Sequence, residues 1–153
     1  MTEHEARVLP EWIDANGHMN LAYYVVVFDH ATDVLFDAIG VGEAYRADGR
    51  ATIFVAETHT LYEREVAVGD ALRVGSRLFA ADRKRLHFGH EMFHVAGGFR
   101  AATQELIALH VDMASRRTAD FPPALAARLA DAAGGGGPVP DWVGRQIAMP
   151  GGR

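Results

Sequence analysis

Apolar side chains recur at Leu21, Tyr24, Val25, Phe28, Leu35 and Ile39, a spacing that winds into a helix with a wide apolar side. Asp29, Asp33 and Asp37, each four apart, form the polar stripe beside it. Asn20 stands ahead of the run as a cap, and Gly40 and Gly42 follow it as stops. A helix of about 20 residues is ~30 Å long, and the breadth of its apolar arc predicts that it is largely buried. Upstream, residues 7–12 make a short apolar stretch broken by Pro10, which reads as a first or edge strand. Asp14-Ala15-Asn16-Gly17-His18 reads as a turn, because Asn-Gly favours positive φ.

Past Asp48-Gly49 the period changes from helical to alternating. Residues 52–68 are rich in β-branched and aromatic side chains and end at Gly69-Asp70. Residues 71–80, 84–95 and 100–114 alternate in the same way, with turns at Asp82 and Gly97-Gly98 between them. Four long strands joined in sequence predict an antiparallel meander. Phe121-Pro122-Pro123 opens a short Ala/Leu helix that runs to Ala133, since proline is tolerated in a first turn. The glycines at 134–137 then predict the end of compact structure. The expected organisation is one domain over residues 1–133 and a flexible Gly/Pro-rich tail over 134–153. Trp142 and Ile147 give that tail two side chains able to dock on a neighbouring surface.

Composition narrows the function classes. The chain has 153 residues, 49% hydrophobic and 23% charged, which suits one globular domain and excludes fibrous and disordered classes. Its net charge of −5, from 15 basic and 20 acidic residues, argues against nucleic acid as a partner. With no cysteine, thiolate zinc sites, disulfides and Cys nucleophiles are excluded. The longest apolar run, residues 21–28, is far short of the ~20 residues a membrane span needs. Met1-Thr2-Glu3-His4-Glu5 lacks the basic and apolar regions of a signal peptide, so a cytoplasmic location and no membrane partner are expected.

One long helix followed by a long curved antiparallel sheet is an α+β arrangement, best solved by wrapping the sheet around the helix. Within that layout, Asp14-Ala15-Asn16-Gly17-His18-Met19-Asn20, then Tyr24, then Tyr62 and Gly69-Asp70, resemble the hot-dog fold. More narrowly, residues 6–117 resemble the 4-hydroxybenzoyl-CoA thioesterase-like acyl-CoA thioesterases. The specific element is the Asp-x-x-Gly-His-x-Asn turn before an aromatic-rich helix. Many members carry a second Asp two positions before the catalytic one, where this chain has Trp12. The resemblance implies hydrolysis of an acyl-CoA thioester to free acid and CoA, with no metal and no cofactor beyond the CoA of the substrate. It also implies a homodimer or homotetramer with sites at the subunit interface. A meander with unpaired strand edges needs such cover for its own reasons. The run from Trp12 to Asp33, with Ala22-Tyr23-Tyr24 and Phe28-Asp29, is also similar to the thioesterases of carnitine breakdown, whose substrate is betainyl-CoA. Short-chain and aromatic acyl-CoA are the alternatives.

Asp14 leads the candidate residues. Beside Asn-Gly an aspartate ordinarily forms an Asx-turn, but a position between Trp12-Ile13 and a buried helix predicts partial desolvation, which raises a carboxyl pKa. The resemblance gives Asp14 the catalytic role, and both general base on water and nucleophile on the thioester stay open. Gly17 and the helix start offer N–H groups to a developing oxyanion, and His18 either orients the turn or donates to the thioester oxygen. Trp12, Asn16 and Tyr24 are the expected substrate contacts, with Tyr23 and Phe54 as further lining. An aromatic lining near a carboxylate such as Glu57 suits a small cationic acyl group. Glu57 and His59, the remaining candidates for substrate contact, lie two apart on a strand, on a face shared with Ile53, Val55 and Leu61 that is expected to be buried.

His90-Glu91-Met92-Phe93-His94 matches the H-E-x-x-H zinc pattern. That pattern works on a helix, where i and i+4 lie ~5–6 Å apart; on a strand the two histidines are ~13 Å apart. The alternation around it predicts a half-exposed strand and no metal site. Arg83-Lys84-Arg85 is a basic run at a hairpin tip, a candidate for the CoA phosphates alongside Arg116-Arg117. No P-loop, dinucleotide glycine motif or G-x-S-x-G elbow is present. Two further readings remain: a hot-dog hydratase or dehydratase pairing His18 with an acid, and a non-catalytic acyl-binding module.

Overall fold

The apolar helix forms where its spacing predicts, as α1 (Leu21–Ile39). It belongs to a computed structural model that describes residues 1–149. Asn20 caps α1 by accepting the Ala22 N–H on its side chain at 3.0 Å. Gly40 ends the helix at φ +83°, a left-handed conformation open to glycine. Asp37 then accepts the Glu43 N–H at 3.0 Å and starts the short α2 (Glu43–Arg46). Burial of α1 is one-sided. Tyr24, Val27, Phe28, Ala31, Thr32, Leu35 and Phe36 are buried, while Leu21, Val25, Val26 and Val34 are exposed beside Asp29 and Asp33. The expected largely buried helix is therefore corrected: the sheet curls over one face of α1 and leaves the other open in the single chain.

The sheet is built from β1 (Thr2–Arg7), β2 (Ala51–Tyr62), β3 (Ala71–Ala81), β4 (Arg85–His94) and β5 (Arg100–Asp112), with the two-residue β6 (Arg117–Thr118) beside β5. Its order is β1-β3-β4-β5-β2, antiparallel throughout. The expected four-strand meander is thus only β3-β4-β5; β2 crosses to the far side of β5 and becomes an edge. The first strand also lies earlier than residues 7–12. Pro10 has no N–H to give a ladder, and residues Pro10–Trp12 instead make a single tight helical turn. A bulge between Val55 and Glu57 reverses the alternation within β2.

α3 (Pro123–Gly134) adds Leu125 and Leu129 to the core beside Leu35 and Phe36. The chain beyond it does not trail away. Gly137, at φ +72°, helps turn it back, and the Arg77 guanidinium donates to the carbonyls of Gly136 and Pro138, the latter at 2.6 Å. Trp142 is buried to 4% exposure on the outer face of the sheet, its ring 5.8 Å from that of Phe79 and over Gly89. Its indole N–H donates to Glu91 at 3.2 Å, and the Gly144 N–H donates to Glu105 at 2.7 Å. Instead of a flexible tail the segment is a strap. Trp142 docks as its side chain suggests, whereas Ile147 is 92% exposed; residues 150–153 of the expected tail lie outside the described residues. Among the described residues, no helix is long and apolar enough to cross a membrane.

Candidate active site

The Asp14 turn closes on itself through backbone bonds. The Asp14 N–H donates to the His18 carbonyl at 3.1 Å, and the Gly17 N–H donates to the Asp14 carbonyl at 3.0 Å, with Gly17 at φ +83°. Ile13 and Met19 bridge across the turn, and the Met19 N–H donates to Val66 at 2.9 Å, which ties the loop to the segment after β2. Asp14 is half-buried. One carboxylate oxygen accepts the Asn16 N–H at 2.8 Å, and the other accepts the Asn20 side-chain amide at 3.3 Å. Asn20 therefore does two things: its oxygen caps α1 and its amide holds the carboxylate at the helix mouth.

A cavity of about 280 Å³ opens next to this turn, lined by His18, Met19, Leu21, Tyr24 and the segment Tyr62-Glu63-Arg64-Glu65. Tyr24 and Tyr62 meet edge to face at 5.3 Å. Their hydroxyls donate to the carbonyls of Arg64 at 3.4 Å and Leu21 at 3.3 Å. Burial pushes the pKa of both phenols up, and the Glu65 carboxylate adds to the effect at Tyr24. The His18 Nδ1 lies 3.3 Å from the Met19 carbonyl, and its Nε2 is 4.0 Å from Glu65.

The structure thus gathers Asp14, His18 and Tyr24 at one end of α1 and disperses the other candidates. Gly17 commits its N–H to the turn. Asn16 is exposed and contributes its backbone N–H to Asp14. Trp12 stacks on Tyr23 at 5.4 Å, and both rings pack against the core beside Met19 and Tyr24 rather than line the cavity. Glu57 is exposed and His59 half-buried on the outer side of β2, because the bulge at Ala56 turns them away from the face of Ile53. The expectation that they share a buried face is overturned. His59 instead lies beside Glu105 and the strap residues Gly144 and Arg145.

Arg83-Lys84-Arg85 does sit at the turn between β3 and β4, with both of its arginines already paired. Arg83 pairs with Asp120 at 2.9 Å and Arg85 with Asp82 at 2.6 Å, while the Lys84 N–H donates to Asp82. In register, Arg85 lies across from Leu109 and that residue across from Phe54, whereas the cavity follows Tyr62. Eight strand residues at ~3.3 Å each put the basic tip roughly 25 Å from the cavity within one chain. Phe54, for the same reason, lines no part of it; the Arg116 guanidinium lies over its ring at 5.4 Å.

The H-E-x-x-H run lies on β4, as its alternation predicts, but the half-exposed strand is corrected at His90, which is fully buried. Thr32 donates its hydroxyl proton to the Phe28 carbonyl, so it accepts the His90 Nε2–H at 2.9 Å; Nδ1 then accepts the Ser76 hydroxyl at 2.7 Å. Burial drives the pKa of His90 down to about 3. His94 pairs with Asp70 at 3.3 Å and stacks on Phe99. With both ring nitrogens of His90 committed between Thr32 and Ser76, the two histidines are no ligand pair. Among the described residues, no group of three or more His, Asp or Glu is placed to hold a metal ion.

Residues 8–129 match the family described as the thioesterase-like superfamily. The chain belongs to that superfamily. This thioesterase is 38% identical over 152 residues to the betainyl-CoA thioesterase of Pseudomonas aeruginosa, covering 98% of this chain and 96% of that protein. It is 41% identical over 145 residues to the L-carnitine dehydrogenase/betainyl-CoA thioesterase of Agrobacterium fabrum, where the match spans 94% of this chain but 30% of the longer protein. Among solved structures it superposes on a Staphylococcus aureus protein in complex with CoA, with TM-score 0.87, 28% identity and coverage of 97% and 94% of the two chains. A Pseudomonas putida protein presented as a candidate thioesterase gives TM-score 0.80 at 33% identity, over 96% and 95% of the chains. The curled sheet around α1 is the hot-dog fold, and the thioesterase is a thioester hydrolase. Sequence reasoning reached Asp14 and Tyr24 through their motif. Asn20 was legible as a cap and as the last residue of the same motif, but not as the amide that holds Asp14, and Glu65 was passed over, its one signal being the charged run Glu63-Arg64-Glu65 straight after Tyr62.

Proposed function

We propose that the substrate is an acyl-CoA and that Asp14 is the catalytic carboxylate. The observation that carries this is the half-buried Asp14, held by Asn16 and Asn20 at the mouth of α1 beside the Tyr24–Tyr62 cavity. As general base, Asp14 takes a proton from water while the water oxygen bonds to the thioester carbon. The C–S bond then breaks, and CoA leaves as a thiolate that recovers a proton. As nucleophile, the same carboxylate bonds to the thioester carbon and expels CoA as its thiolate, and water then hydrolyses the anhydride to release the acid and restore Asp14. In either route the positive end of α1 faces the oxyanion. The likeness to betainyl-CoA thioesterases makes betainyl-CoA the first substrate to try.

The position of β2 at an edge of the sheet supports an assembly of two chains. Paired edge to edge about a two-fold axis, antiparallel β2 strands bring the Ala51 end of one chain to the Tyr62 end of the other. The basic tip that is remote from the cavity within one chain would then approach its partner's cavity, where CoA phosphates need cations. A homodimer in light scattering is the expected outcome; an active monomer contradicts it.

The deciding experiment follows release of CoA thiol from a panel of acyl-CoAs. Asp14→Asn keeps the size and turn preference of the side chain and should lower turnover by ~10²–10⁴ with the fold intact. Near-unchanged release by a folded Asp14→Asn protein refutes the role. Turnover without thiol release would point instead to hydration, and binding without turnover to an acyl-carrying module.

A further inference from the structure

The cavity beside Asp14 is lined by two carboxylates and one guanidinium, and these are not equally free. Glu63 is clamped by Arg100, which donates to its two oxygens at 2.8 and 3.0 Å. Arg64 lays its guanidinium 3.8 Å from the centroid of Phe99. Among the described residues Glu65 has only His18, at 4.0 Å, and its side chain is 78% exposed. Its negative charge is felt at Tyr24, within the aromatic wall. Tyr24 and Tyr62 commit their hydroxyl protons to backbone carbonyls, so what they offer a ligand is ring surface. Arg64 keeps its positive charge but holds it over Phe99, so the charged group left to meet a ligand beside the phenol rings is the Glu65 carboxylate, and ring faces and carboxylate alike attract a positive group.

We infer that Glu65 is the charge-selecting residue of the acyl pocket, favouring a compact acyl group that carries a positive charge and disfavouring an anionic one. This rests on the reading of the cavity as the acyl pocket. Glu57, the carboxylate that the sequence offers for the task, is exposed on the outer side of β2 and takes no part.

The test compares betainyl-CoA with tert-butylacetyl-CoA, in which carbon replaces the cationic nitrogen at equal shape. The ratio of their kcat/KM values isolates the charge. Glu65→Gln should lower that ratio about three- to fivefold, the scale of one exposed ionic contact. Glu65→Lys should lower it further and raise the relative rate of succinyl-CoA. A ratio held at its starting value in both variants overturns the inference, as does an equal fall for both substrates. If the unsubstituted enzyme releases thiol from neither acyl-CoA but does from palmitoyl-CoA, the acyl-pocket reading itself fails and this inference fails with it.

Discussion

His90 offers a clean measurement because its environment fixes both its protonation state and its magnitude. The imidazole is enclosed by Phe28 and Phe88, donates to Thr32 and accepts from Ser76, and its pKa falls from 6.5 to about 3 through burial. At pH 5 an unfolded imidazole of pKa 6.5 is about 97% protonated, while the native one is about 1% protonated. The unfolded state thus binds the extra proton. Stability from this group is complete above about pH 6.5 and is lost as pH falls from there toward 3. Integrated to pH 5, the loss is about 2 kcal/mol, at 1.36 kcal/mol per pH unit over 1.5 units. The figure depends on the unfolded pKa, since the native one lies well below 5. His90→Gln keeps a donor and an acceptor but cannot titrate. Urea unfolding of both proteins at pH 8 and pH 5 should show the stability gap closing by about 2 kcal/mol at pH 5. The other seven histidines, including those paired with Glu105 and Asp70, cancel in the difference. Parallel profiles refute the argument. Should the variant fold poorly, a His90 NMR signal in the unsubstituted protein that titrates between pH 5 and 7 refutes it equally.

Asn20→Ala removes the α1 cap and the amide that holds Asp14. It should cost about 1 kcal/mol in urea unfolding and lower kcat more than it raises KM; unchanged kcat would detach Asn20 from the site. Trp142→Ala removes a buried ring from the outer face of the sheet and should cost about 3 kcal/mol, with faster proteolysis near residues 134–137; an unchanged Tm refutes the strap.

What the chain discloses on inspection is what local forces decide. The 3.6 spacing over residues 21–39, the Asn20 cap, the Gly40 stop and the Asn16-Gly17 turn all form as written, because each depends on neighbours in sequence. Partners far along the chain were not legible. Alternation marks β2 as a strand but says nothing of its pairing with β5, which is decided by which edge the crossover reaches. One inserted residue at Ala56 moves Glu57 and His59 to the other face, and no local pattern announces a bulge. His90 reads as half-exposed until the Ser76 and Thr32 hydroxyls, 14 and 58 positions away, are placed against it.

The four glycines at 134–137 look like the natural place to shorten the protein. The structure makes them a fitted reversal: Gly136 lies so close to the Arg77 stem that a Cβ there would sit 2.8 Å from it. Gly89 is left bare because an indole occupies the space its side chain would fill, with a Cβ only 2.7 Å from the Trp142 ring. Shortening the chain at the glycines would uncover an apolar slot on the sheet floored by glycine and walled by Phe79, and leave Glu91 without its indole donor. The strap is in effect a side chain that the sheet borrows from 53 residues downstream of Gly89, and a second molecule approaching that face meets tryptophan rather than open strands.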